Sequence, residues 1–156
     1  MSNPIPIHSE FNVERLFKAP IDLVFHAWTD EKAKAHWFVG PAEWTEIKRT
    51  LEPKLGGVDI LHGKLQGGME TLYTARYQAI RPDDLLVYVY DMHIDGAHLS
   101  TSLATVDLRA EGNATRMLYT EQAVYFDGED GSESRRRGTS AHFDHLVTYL
   151  NANART

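Results

Sequence analysis

The sequence predicts an α+β fold in which a curved seven-stranded antiparallel sheet wraps a long C-terminal helix, with two short helices between strands 1 and 2. Three patterns carry that prediction. Apolar residues recur mostly with period two from Trp44 to Tyr125, the alternation of half-buried strands. Phe143, Leu146, Val147 and Leu150 recur at i, i+3, i+4, i+7 near the C-terminus, the stripe of an amphipathic helix. Ile21, Val24, Phe25 and Trp28 repeat that spacing directly after a first strand.

The first strand is Glu10–Lys18, where Phe11, Val13 and Phe17 alternate with polar residues. Ala19-Pro20 ends it, and proline suits the first turn of a helix because its missing N–H costs nothing there. Asp22 favours the positive end of that helix. Thr29-Asp30 supplies capping oxygens for a second short helix, EKAKAH, which ends at Trp37 and Phe38 before a Gly40-Pro41 turn. Strands follow at Trp44–Lys54, Val58–Gly63, Met69–Ile80, Leu85–His93, Leu99–Arg109 and Ala114–Tyr125. Gly56-Gly57 permits a sharp turn or bulge. Gln66-Gly67-Gly68 and Asp95-Gly96 read as hairpin turns. An acidic loop, DGEDGSE, leads to a helix from about Ser134 to Asn151.

Short turns between consecutive strands make the sheet antiparallel. A twisted sheet of this width curls. A flat sheet under a straight helix leaves little space, but a bowed one leaves a gap, and that gap is the expected pocket. Strand parity sets its lining. Tyr73, Tyr77, Tyr88, Tyr90 and Met92 face inward from the middle strands, Ser102 and Ala104 from the next, and Met117, Tyr119 and Glu121 from the last. Phe143 and Val147 close it from the helix, and Trp37 stands at its mouth. A wall of Tyr, Met and aliphatic side chains suits a small, flat, apolar or aromatic ligand.

Glu121 is the sharpest polar candidate. A carboxylate on the inward face must be paired or hold a raised pKa. It serves as an acid/base group or ligand anchor, or it pairs structurally with a basic residue such as Lys54, or it sits at the open mouth. Asp91 faces outward by parity. Arg135, Arg136 and Arg137 read as a solvated face, with partner docking as the alternative. Gly138 inside a helix costs ~1 kcal/mol against alanine, and a close approach of helix to sheet or a bend over the cavity would explain it.

The 156 residues predict one domain, 1–156, and include no cysteine. No disulfide or thiolate chemistry is available, which fits a reducing cytoplasm. No metal or cofactor motif is present. His142 and His145 are three apart but would need a third ligand. The net charge of −6 disfavours nucleic acid, since the only dense basic cluster is the arginine triplet. No stretch reaches the ~18 apolar residues of a membrane span, and MSNPIPIHSEF is not a signal peptide. A homodimer through a sheet edge is compatible with the pattern.

The element order, the segment FKAPIDLVFHAWTDEKAKAHWF and Gly56-Gly57 resemble the SRPBCC (START/Bet v 1-like) superfamily and, within it, the branch similar to the activator of heat-shock-protein-90 ATPase. A bacterial subgroup is closer still, through YDMHIDGAHLSTSLATVDL and YTEQAVYFDGEDGSESRRRGT. The wider branch often has Gly-Trp where this chain has Gly138-Thr139, Asp and Arg where it has Glu52 and Lys54, and glycine where it has Ala123. The resemblance implies the helix-grip fold. It brings two rivals to simple ligand binding: a cyclase- or hydrolase-like enzyme using Glu121 and a pocket tyrosine, and a chaperone-linked interaction module.

Overall fold

The computed structural model describes residues 3–153. In chain order the elements are β1 (Ile7–Phe17), α1 (Ile21–Thr29), α2 (Glu31–Lys34), β2 (Trp44–Leu51), β3 (Val58–Leu65), β4 (Glu70–Arg81), β5 (Leu85–Ile94), β6 (Ala97–Glu111), β7 (Ala114–Tyr125) and α3 (Ser132–Ala152). The seven strands form one antiparallel sheet in the order β1-β7-β6-β5-β4-β3-β2. The first two strands thus lie on opposite edges, and α1 and α2 carry the chain between them. This is the helix-grip arrangement that the period-two run and the single long helix predict.

Local chemistry explains the joints. Pro20 precedes α1 as its N-cap (φ −68°, ψ 154°), one residue earlier than the first-turn position expected for it. Asp30 ends α1 and caps α2, its Oδ2 accepting from the Ala33 N–H at 3.0 Å. Thr29 is not a cap; its hydroxyl donates to the Phe25 carbonyl. Gly56 takes a left-handed φ of +75°, and a Cβ on Gly57 would lie 2.1 Å from the Glu52 carbonyl oxygen. The double glycine is therefore required twice, once for conformation and once for space.

Strand parity holds across the sheet. One cross-strand row runs Tyr73–Met92–Ser100–Tyr125, and a parallel row runs Tyr77–Tyr88–Ala104–Glu121–Phe11. Both face α3. Bulges at Tyr77/Ala79 and Met92/His93 add local twist and bending to the central strands.

The interior is divided lengthwise. Beneath the second half of α3, Leu146 and Leu150 pack into a filled core with Leu86, Val106, Leu108 and Met117, all at most 2 % exposed. Trp28 anchors this core to α1, its ring 4.7 Å from Trp37 and 6.0 Å from Phe143. Beneath the first half of α3 the sheet and helix part.

Candidate functional site

The space between them is a cavity of about 440 Å³, open to solvent on one side. That lies within the ~300–1,000 Å³ of ordinary ligand pockets. Of the residues the sequence assigns to a pocket, Trp37, Tyr73, Tyr88, Tyr90, Met92, Tyr119 and Phe143 line it. Tyr77, Ser102, Ala104, Met117, Glu121 and Val147 do not. They face inward but belong to the filled core or stand behind the wall. The parity is correct and the extent is not, because period-two alternation reports a face and says nothing of how far the helix stays close to it. Trp37 is at the back of the cavity rather than its mouth, 1 % exposed, with its indole N–H donating to the Ala27 carbonyl at 2.9 Å.

Gly138 borders the opening. A Cβ there would meet nothing within 4 Å, so no close approach of helix to sheet explains this glycine. Trp44 is a lining residue that strand periodicity does not single out. Its indole covers the backbones of Gly40 and Gly63, leaving no room for a Cβ on either (2.4 and 2.0 Å), and its Nε1 donates to the Thr71 hydroxyl at 2.9 Å.

Glu121 is fully buried and heavily partnered. Its Oε1 accepts from Tyr119 (2.6 Å), and its Oε2 accepts from Tyr90 (2.7 Å), Ser102 (2.9 Å) and Arg135 (3.2 Å). Lys54 plays no part in this network. Arg135 also donates to the Tyr90 hydroxyl and the Ser100 hydroxyl, each at 2.8 Å, and lies over the rings of Tyr90 and Tyr125. Arg135 is therefore not a solvated residue, whereas Arg136 and Arg137 are exposed. Run backward from Phe143 at helical spacing, the α3 stripe passes through Arg136, which is exposed, so periodicity does not single out Arg135 and its inward place comes from the fold.

Burial raises the pKa of Tyr73, Tyr88, Tyr90 and Tyr119, and in Tyr90 the neighbouring Glu121 charge adds to it. These phenols stay protonated at neutral pH and act as hydrogen-bonding groups. Glu121 stands close enough to two of them for an acid/base pair, but it does not line the cavity and its oxygens already have four donors. Asp91, facing outward, accepts from Thr101 at 2.6 Å and lies 3.1 Å from His98. Among the described residues no three His, Asp or Glu side chains group to hold a metal ion, and no helix is long and apolar enough to cross a membrane.

His142 lines the cavity with Nε2 3.0 Å from the Val39 carbonyl oxygen. Burial pushes its pKa down from 6.5 to about 4, and the Val39 contact offsets only part of that. Between those values the unfolded chain binds more protons than the folded one. The stabilising contribution is complete above the unfolded pKa and is lost as pH falls toward the folded one. His142→Gln is expected to remove up to about 2 kcal/mol of the acid-side loss in urea-unfolding free energy between pH 7 and 4.5. An unchanged acid slope in the variant would show that the ring titrates normally.

A bowed sheet, a long gripping helix and a hollow between them define a helix-grip protein of the SRPBCC (START/Bet v 1-like) class. The family described as Activator of Hsp90 ATPase homolog 1-like protein matches residues 18–151, and the chain belongs to it. A solved structure of an uncharacterised protein from Rhizobium leguminosarum is 34% identical, with a TM-score of 0.90 over 95% of this chain and 97% of that one. A Rhizobium loti protein is also 34% identical, with a TM-score of 0.87 over 94% and 99%. An AHSA1-like protein from Aeromonas hydrophila shares the fold at 18% identity, with a TM-score of 0.73 over 93% and 94%. No protein of curated function matches the sequence.

Proposed function

We propose that the protein binds a small, largely apolar molecule in the cavity beneath the first half of α3, and that this binding requires no chemical step. The observation that carries the reading is an open volume of about 440 Å³ walled by aromatic rings, among them Trp28, Trp37, Tyr73, Tyr88 and Phe143. Rigid rings around a preformed hollow lower the ordering cost of binding. The same length of sheet could have been filled, as the Leu146–Leu150 end is.

The neutral fluorescent probe N-phenyl-1-naphthylamine tests this directly. Its emission is expected to rise saturably, with one site and a Kd on the order of 10 μM, the range set by modest ligand efficiency for a molecule of that size. Native mass spectrometry should show a matching one-to-one adduct. A flat, non-saturating response, with no adduct, would count against a binding cavity.

A further inference from the structure

The cavity wall is largely apolar, and at Arg135, where a buried ion pair meets it, the two members of the pair are not equivalent. Arg135 lines the cavity. Glu121 is 0 % exposed and stands behind it. An incoming molecule therefore meets the guanidinium before the carboxylate.

The hydrogen-bond inventory sharpens the asymmetry. Glu121 is stabilised by three neutral donors, Tyr90, Tyr119 and Ser102, besides the guanidinium. Those donors satisfy carboxylate lone pairs that would otherwise fall to the guanidinium alone. Arg135 carries five N–H donors. Its Nη1 serves Tyr90, Glu121 and Ser102, and its Nη2 serves Ser100. The Nε–H and one N–H of Nη2 have no acceptor among the described residues. Nε and Nη2 share one side of the planar fork, a side that can bind a carboxylate in bidentate fashion, and Ser100 is the one acceptor on it among the described residues. The Arg135 side chain is 14 % exposed and lines the cavity, so it is neither sealed by protein nor freely hydrated. The only carboxylate on the lining is Asp127, in the exposed loop before α3, where water screens it.

We propose that the ligand is a small carboxylic acid, an aryl or alkyl body with one carboxylate, and that the carboxylate seats on the Nε/Nη2 side of Arg135. The apolar body lies against the ring wall. This rests on the cavity being a binding site, and it adds the chemical class that the site takes. Arg135 is then the residue that sets specificity, and Glu121, Tyr90 and Ser100 are positioning residues that hold its fork in one orientation.

The test displaces N-phenyl-1-naphthylamine at pH 7 with 2-naphthoic acid and, separately, with methyl 2-naphthoate. The two share a body and differ in charge. The acid is expected to bind at least tenfold more tightly than the ester. In the paired variant Arg135→Gln with Glu121→Gln, which removes both charges and keeps polar side chains, the ratio is expected to fall to about one. Circular dichroism and thermal melting establish that this variant is folded, and the wild-type ratio stands as a test if it is not. An ester that binds as well as the acid overturns the carboxylate anchor and leaves the cavity reading intact. If the probe, the ester and the acid all fail to bind, the cavity reading falls, and the anchor falls with it.

Discussion

Asp59→Ala is expected to destabilise the protein by about 3–5 kcal/mol, the loss typical of breaking a buried ion pair from one side. Asp59 Oδ2 lies 2.5 Å from Lys34 Nζ, and both side chains are at most 4 % exposed. Removing the carboxylate leaves an ammonium that cannot reach water. What surrounds it is aromatic: Phe38 at 4.7 Å, Trp28 at 5.5 Å, Tyr88 at 5.9 Å and Trp37 at 6.0 Å from ring centroid to Nζ. Desolvated cation–π contacts are worth up to about 2 kcal/mol each and do not replace a counter-charge at this depth. The control is the double variant Lys34→Met with Asp59→Leu. It removes both charges together and is expected to recover most of the loss, because apolar replacements for a buried pair are often neutral or stabilising. Urea unfolding at pH 7 measures both. A loss below about 1 kcal/mol for Asp59→Ala would mean the ammonium finds solvent after all. The four rings around Lys34 also line the cavity, so the pair ties α2 to β3 directly behind the proposed binding wall.

The residues that a reader of the sequence can place, and those that escape, differ in a physical way. Tyr73, Tyr88, Tyr90 and Tyr119 were placed inward because a strand has only two faces and the neighbouring alternation fixes which is which. Arg15 follows the same parity: it faces α3, where it donates to Asp144 and to the Ser140 carbonyl. Boundaries were less legible. β1 begins at Ile7 rather than Glu10, because pairing with β7 reaches Tyr125 and holds residues with little strand preference of their own. α2 is two residues shorter than EKAKAH suggests, because Trp37 turns into the core. The polar partnerships were the least legible. Lys34–Asp59 joins residues on a short helix and a strand, and Glu121–Arg135 joins β7 to α3 across an acidic loop. Neither has a spacing rule. Each charged residue had an equally ordinary exposed reading until the fold brought its partner within reach. The cavity's extent escaped for a related reason: whether a helix touches a sheet depends on how bulges bend the strands, a matter of the path of the chain rather than of its pattern.

Thr139→Trp is expected to lower affinity for N-phenyl-1-naphthylamine by at least about 100-fold, equivalent to about 3 kcal/mol, while leaving the protein folded and equally or more stable. Thr139 lines the cavity one residue after Gly138, at the position where the wider branch that this sequence resembles often carries tryptophan. Thr139 is half-buried against the hollow, so an indole there has open volume to enter. Burying an indole removes roughly 150–250 Å² from water, and part of that gain offsets the loss of its rotamer freedom. A hollow that existed only as a packing fault would be improved by filling and would have no binding to lose. A hollow kept for a guest should trade one property for the other. The two measurements separate these cases, since melting temperature reports the packing and probe titration reports the guest. Lost binding with a maintained or higher melting temperature is the expected pair of results. Full-strength binding in a folded Thr139→Trp variant would place the probe somewhere other than this cavity, and the argument from the bowed sheet would then lose its functional consequence.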